Sequence, residues 1–377
     1  MIHSPGLALT IVAFLCVIGP LVFVHEMGHY WAARLFGVKI DAFSIGMGRE
    51  VGGWTDRRGT RWKLGWAPIG GYVRFAGDMN AVSQPTVEWL ALPAGERART
   101  FQAKPVWQRA IIVAAGPFVN FLLAILILAG FAIGYGDSRT PAVVGGVEAH
   151  SGAAAARLQA GDRITALGGR ETEVFGDLAQ YLQIRPHEQV RVDFVRGGRA
   201  QSVQATVGAD TLVDRFGNRT EIGLLGIAPP PAVVVPVGLA QAPVVAVRRT
   251  GEVLRLMIDT IGQIVTGQRS LKDMGGPLRI AKASGEQMSQ GPQAFVALIA
   301  PVSINLGFIN LLPVPMLDGG HLFFYAIEAI RRRPVGPEVM EWAYRGGLAA
   351  LLALMLLVTV NDLGSFGLWH RLAGLVG

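Results

Sequence analysis

The chain has 377 residues, of which 51% are hydrophobic and only 16% charged, with a net charge of +7 and a single cysteine. Ordinary globular chains carry about a quarter charged residues; a deficit gathered into long apolar stretches excludes an ordinary soluble enzyme and points to an integral membrane protein. The lone Cys16 excludes an intrachain disulfide, and the basic residues fall between apolar runs, which argues against a nucleic-acid partner and for topology-setting contacts with a lipid bilayer.

Four apolar segments are expected to span the membrane. The first, about 6–35, has no basic residue before Arg34 and carries His25, Glu26 and His29 near its end, so it reads as a retained span rather than a cleaved leader. Residues 38–77 are rich in glycine and aromatics, with alternation at 61–64 and 72–75. Gly52-Gly53 and Gly70-Gly71 read there as turns between short strands that dip into the membrane face. The second span, 110–133, holds no charge and only Asn120 as a strongly polar side chain. The middle region, 143–229, has soluble character: 190–196 alternates, Gly197-Gly198 turns, and 201–207 alternates again, which is a hairpin pattern. Residues 236–266 read as an amphipathic helix on the membrane. The third span, 295–317, is interrupted by Asn305, Asn310, Pro313 and Pro315, and the fourth, 346–360, continues toward the C-terminal residues.

The basic residues orient this set. Eleven lysines and arginines lie between the first two spans, and Arg331, Arg332, Arg333 and Arg345 lie between the last two, so both loops read as cytoplasmic. Both termini and the middle region then face the other side. The expected divisions are a first span with its motif (1–37), a re-entrant β loop (38–106), a second span (107–135), a middle domain (138–230) and an amphipathic helical linker (231–292). A third span (293–330) and a loop with the fourth span (331–377) complete the chain.

The chemistry starts at His25-Glu26-Met27-Gly28-His29, an H-E-x-x-H pattern. Residues four apart share one helix face, so both imidazoles can bind one metal ion, and Glu26 can act as general base on an activated water. Three ionisable groups at the end of an apolar span are costly there and mark function. A catalytic zinc takes three protein ligands, and three residues compete for the third place: Glu50 in the glycine-rich loop, His321, and Asp318. Asp318 is the better candidate. It follows a proline-broken stretch at the cytoplasmic end of the third span, the same end as His25 and His29, and broken backbone at that depth is tolerated only where it lines a cavity.

Three stretches together carry a family resemblance: His25 to Tyr30, Gly116-Pro117-Phe118-Val119-Asn120, and Asn310 to Gly320 as N-x-x-P-x-P-x-L-D-G-G. Gly276-Pro277 with Ile280-Ala281 adds to them. The chain resembles the site-two protease family of intramembrane zinc metalloproteases, in its bacterial regulator-of-sigma-E form, over nearly its whole length. The resemblance implies a polytopic α-helical membrane protein of about four spans with a membrane-associated β-hairpin loop and one inserted PDZ-like α+β domain. It implies Zn2+ on His25, His29 and Asp318, with Glu26 activating water, and cleavage of the transmembrane segment of single-pass proteins already trimmed by an upstream first-site protease. Anti-sigma factors and remnant signal peptides are the expected substrate kinds, and the bacterial inner membrane the expected location. The glycine-rich loop, at Gly46 and Gly48, and Asn310 are the expected substrate contacts. In the middle domain, residues 160–164 resemble a PDZ helix-to-strand turn, and Gly223, Leu224, Leu225, Gly226 and Ile227 its carboxylate-binding loop. Only one such domain fits here, where the well-known family members have two. The rival reading is a membrane-anchored PDZ adaptor without hydrolysis, which would need neither Glu26 nor the ligands.

Overall fold

The computed structural model describes residues 6–77, 89, 91–183, 185–213, 219–266 and 275–365. The expected extension of the last span into 366–377, and parts of the β loop (78–88) and of the linker (267–274), lie outside the described residues. The chain forms two compact units, one of Met1–Phe131 with Ala240–Gly377 and one of Ala132–Leu239.

Among the described residues of the first unit, four helices are long and apolar enough to cross a membrane: α1 (Leu7–Leu35), α2 (Val106–Tyr135), and two that follow the insertion. No more than 33% of any of these apolar stretches is buried within the protein. The remaining apolar surface, Leu7, Ile11 and Val12 on α1 for example, needs lipid as its solvent. Pro20 and Pro117 sit inside α1 and α2, as proline does more readily in spans than in soluble helices.

Between them lies a hairpin, β1 (Ile40–Thr55) and β2 (Arg61–Phe75). Its turn is not at the paired glycines expected from sequence. It lies at 56–60, where the Asp56 carboxylate accepts from the backbone N–H of Arg58 and Thr60, a side-chain-built turn that competes well with glycine. Gly52-Gly53 and Gly70-Gly71 instead lie within the strands, where the register shifts. Both strands bend, so that residues 42–45 are paired on both sides, with 61–64 and with 71–74. The hairpin base is fastened to α1 by aromatic packing of Phe43 on Phe23, Tyr30 and Trp62, and Ile40, Phe43, Phe101 and Ile112 are buried in one core.

After the insertion come α4 (Ala242–Val265), α5 (Pro277–Gln290), α6 (Pro292–Leu311), α7 (Asp318–Arg331) and α8 (Pro337–Ser365), α3 being in the second unit. The stretch read as a linker therefore holds two helices, and neither is a passive connection. Val253, Leu254 and Met257 of α4 pack on buried Ala124 of α2 and on Ala300 and Ile304 of α6. The N-terminus of α5 is capped by the fully buried Asp362 of α8, whose carboxylate accepts from the Gly276 and Arg279 amides at 3.2 Å each and pairs with the Arg279 guanidinium at 3.1 Å. A carboxylate at a helix N-terminus meets unsatisfied N–H groups and the positive end of the dipole, which accounts for Gly276-Pro277 opening this helix.

The second unit is α+β. A four-stranded sheet runs in the order β4 (Arg170–Glu171), β3 (Arg163–Leu167), β5 (Gln189–Arg196), β6 (Arg199–Thr206), all pairs antiparallel. The expected hairpin is present, with Gly197 and Gly198 at φ +56° and +80°, the left-handed pair that a tight two-residue turn requires. Helix α3 (Phe175–Gln183) covers the sheet, burying Leu178 and Leu182 against Ile164, Val190, Val192 and Phe194. The turn at 160–164 has an ionic reason: Asp162, 1% exposed at its side chain, takes two hydrogen bonds of 2.6 Å from Arg196 and one of 2.7 Å from the Gln159 amide. Burial pushes the Asp162 carboxyl up, but these donors outweigh it and hold it below the ordinary carboxylate range. A depressed folded pKa contributes stability above the unfolded value, near 3.9, that is lost as pH falls through the folded one. We therefore expect the protease resistance of segment 132–239 in the full chain to drop below about pH 4. Asp162→Ala should reduce that pH dependence and cost roughly 3 kcal/mol at neutral pH, read by denaturant midpoint.

Candidate metal centre

His25 and His29 lie on the buried face of the last turns of α1, each 8% exposed, and their Nε2 atoms are 3.3 Å apart. Asp318 opens α7 and turns its Oδ2 to both, 3.2 Å from His25 Nε2 and 3.5 Å from His29 Nε2. Tetrahedral zinc with bonds of about 2.0–2.1 Å separates its ligands by about 3.3 Å, so this triangle has the edges such an ion needs. Asp318 Oδ2 is buried and has no hydrogen-bond partner, which a metal would supply. The His29 Nδ1 faces the Ile112 carbonyl at 2.9 Å and the His25 Nδ1 faces the Asn120 amide at 3.2 Å. Both rings therefore present Nε2 to the cluster. Among the described residues, these three form the group of histidine and acidic side chains whose atoms converge in this way.

The competing ligands stand elsewhere. Glu50 is on β1, ion-paired with Arg61 of β2. His321 lines the same cavity but is tied to the Tyr344 hydroxyl of α8 at 2.8 Å from Nδ1.

Two backbone features bring the three side chains together. The proline-rich stretch after α6 turns back at once: Val314 N–H donates to Leu312 O and Leu317 N–H to Val314 O, with Met316 held at φ +87°, a strained conformation for a side chain-bearing residue. Asp318 is not the N-cap of α7, which is Leu317, but its first residue. An Arg109–Glu328 pair of 2.6 Å then ties α7 to α2. The second feature is absence of side chain. A Cβ on Gly28 of α1 would overlap the Ala115 carbonyl of α2, and one on Gly116 would overlap His29 Nε2 and stand 3.0 Å from His25 Cε1. Small residues let spans approach closely; here the approach is what leaves space for the imidazoles.

The cluster opens on a cavity of about 490 Å3. Glu26, 8% exposed, lines it beside His25, His29 and Asp318. Asn310, expected to meet substrate, lines it too, with its amide donating to Leu306 O at 3.0 Å. Of the glycine-rich loop, Gly46 and Gly48 take left-handed φ of +81° and +85° and flank Met47, which reaches the cavity. The opposite strand contributes more: Gly70, Gly71, Tyr72 and Val73 of β2 all line it, and sequence alone did not single them out. Their nearness depends on the bend in the hairpin, for which Gly71 is required, since a Cβ there would sit 3.0 Å from Glu26 Cγ. In the second unit, Leu225, Gly226 and Ile227 form one wall of an apolar groove of about 300 Å3, with Leu178, Ala179 and Leu182 of α3 as the other. Gly223 and Leu224 flank that groove at the end of β7 (Arg219–Leu224).

Comparison with known proteins places these features in a family context. The model of Peptidase family M50 matches residues 13–354. A protein carrying the name zinc metalloprotease in Agrobacterium fabrum is 42% identical over 94% of this chain and 96% of its own length. Another of that name in Mesorhizobium japonicum is 41% identical over 94% of this chain and 98% of its own. Among solved structures, the PDZ domain of the SdrC-like protein of Listeria monocytogenes is 21% identical and covers 24% of this chain and 87% of that chain, at a TM-score of 0.19. The close helix approach is open to test: Gly116→Ala should sharply lower the metal content of detergent-purified protein although His25, His29 and Asp318 are intact. Gly130→Ala, on the same helix with nothing within 4 Å, should leave it unchanged, both measured by elemental analysis.

Proposed function

We propose a site and a substrate class for a chain that belongs to peptidase family M50 and is, like its relatives, a zinc metalloprotease. The observation that carries the proposal is the convergence of His25 Nε2, His29 Nε2 and Asp318 Oδ2 beside Glu26, at the end of an apolar span. His25, His29 and Asp318 would hold the zinc, which supplies Lewis acidity toward a water and a peptide carbonyl.

The protein's own groups do the rest. Glu26 takes the proton of the attacking water on its carboxylate as the water oxygen bonds to the carbonyl carbon, then returns it to the amide nitrogen as the C–N bond breaks. Asn310 offers amide contacts to substrate backbone. Residues 71–74 are paired only on the side of 42–45 among the described residues, so their outer edge can accept an extended peptide as an added strand. A helix cannot be cut until its backbone is exposed, and such an edge would hold the unwound stretch next to Glu26.

The substrate class follows: the membrane-spanning segment of single-pass proteins, because the cluster sits among spans whose outer faces need lipid. The groove at residues 223–227 supports reading the second unit as a PDZ-like domain that takes a peptide C-terminus, as a first-site protease would leave on a trimmed substrate. The basic loops support a bacterial inner-membrane topology with both termini and this domain periplasmic and the site near the cytoplasmic face. A membrane adaptor without catalysis would need no such ligand set.

Two experiments test the assignment. In purified protein with a single-span substrate, Glu26→Gln should lower cleavage by about 10²–10⁴-fold while zinc stays bound; cleavage at the wild-type rate would rule out Glu26 as the base. Asp318→Asn should strip the zinc and Glu50→Gln should not, and the reverse result would reassign the third ligand.

A further inference from the structure

Asn120 is fully buried in an otherwise apolar span, a position where a carboxamide is costly without hydrogen bonds. Its side chain meets the metal cluster at one point, with Nδ2 3.2 Å from His25 Nδ1. Its Oδ1 is buried with no partner. The main chain here is held independently, by Ser303 Oγ of α6 donating to the Asn120 carbonyl at 2.8 Å.

The chemistry of the ring decides how this contact must run. A neutral imidazole has one N–H and one lone pair. His25 Nε2 points at Asp318 Oδ2 and His29 Nε2, so a metal there needs the Nε2 lone pair, and the proton must be on Nδ1. An Nδ1–H facing the NH2 of Asn120 is donor against donor. The two ends of a carboxamide have the same shape, and turning it about its last bond puts Oδ1 opposite Nδ1–H, which also gives the orphaned oxygen a donor. His29 needs no such device, because its Nδ1 faces a main-chain carbonyl, Ile112 O at 2.9 Å, which can only accept.

Resting on the metal site proposed above, we infer that Asn120 is the positioning residue of His25: its Oδ1 accepts from His25 Nδ1–H and fixes the ring in the tautomer that turns a lone pair to the metal. Partners of this kind on ligating histidines typically change metal affinity by about 10–100-fold when removed. Asn120 is not among the residues that line the cavity, so its effect is on zinc affinity before any effect on turnover.

The test uses the full chain in detergent on a Glu26→Gln background, with zinc affinity measured by competition with a chromophoric chelator. Asn120→Leu fills the site without polar atoms, and Asn120→Ser shortens it out of reach; each should weaken zinc binding by about 10–100-fold. Asn120→Asp keeps an acceptor and removes the N–H, and should hold affinity within about threefold of wild type. Loss in the Asp variant equal to that in the Leu variant, or wild-type affinity in both Leu and Ser, would overturn the inference. A second readout needs no variant to fold in place of Asn120: in zinc-loaded, 15N-histidine-labelled wild type, the His25 resonance (the one absent from His25→Gln) should carry its proton at Nδ1. A His25 ring without a proton at Nδ1 in the zinc-loaded protein would overturn it. Zinc binding by wild type no tighter than by a His25→Gln, His29→Gln double variant would overturn the metal site itself, whereas tight wild-type binding indifferent to Asn120 sinks only the present step.

Discussion

Two imidazoles and a carboxylate held within 3.5 Å of one another among apolar spans are the constraint from which much of this structure follows. A charged side chain within a span is costly, up to roughly 3 kcal/mol at its centre on insertion scales and more when it cannot reach water. Three polar groups persist at such a place only if a cation and a set of hydrogen bonds compensate them. The surrounding structure supplies the conditions for that compensation: an acceptor for His29 from the α2 main chain, a carboxamide for His25, and a cavity that keeps the cluster in contact with water.

The demand for space shapes the helices around it. Gly28 and Gly116 let α1 and α2 approach until there is no room for a methyl group, and the imidazoles occupy what side chains would otherwise fill. On the far side, the turn after α6 is tight enough to strain Met316, because the aspartate must come back toward α1 within a few residues of leaving its own span. Packing and ion pairing then hold the arrangement: Arg109 with Glu328 ties α2 to α7, and Asp362 ties α8 to α5. The latter is a second buried carboxylate, satisfied by a guanidinium and a helix N-terminus, whereas Asp318 faces two imidazoles.

The hairpin is the part that brings a strand edge to the cavity beside this centre. Its strands are not a simple ladder; the glycines that read as turns are bends, and they bring residues 71–74 around to the cavity as an edge. An exposed edge is normally a liability that proteins cover. In the function proposed above, this edge would be the place where an unwound substrate backbone finds hydrogen bonds that lipid cannot provide.

Sequence by itself determined what depends on local spacing and on composition. The i, i+4 period put His25 and His29 on one face, the apolar runs marked the spans, and the parity of four spans placed Asp318 at the same end as the histidines. The alternation at 190–196 with Gly197-Gly198 was enough for the hairpin of the second unit, because a turn and its strands are adjacent in the chain. Tertiary structure alone decided what depends on approach between distant segments. That Gly116 is empty to admit two imidazoles, that Asn120 meets His25 rather than lipid, that β2 and not only Gly46 and Gly48 lines the cavity, and that α5 is capped by Asp362 are each contacts between residues tens or hundreds of positions apart. A glycine or an asparagine has no local signature that names its neighbour; only the packing of one helix against another supplies it.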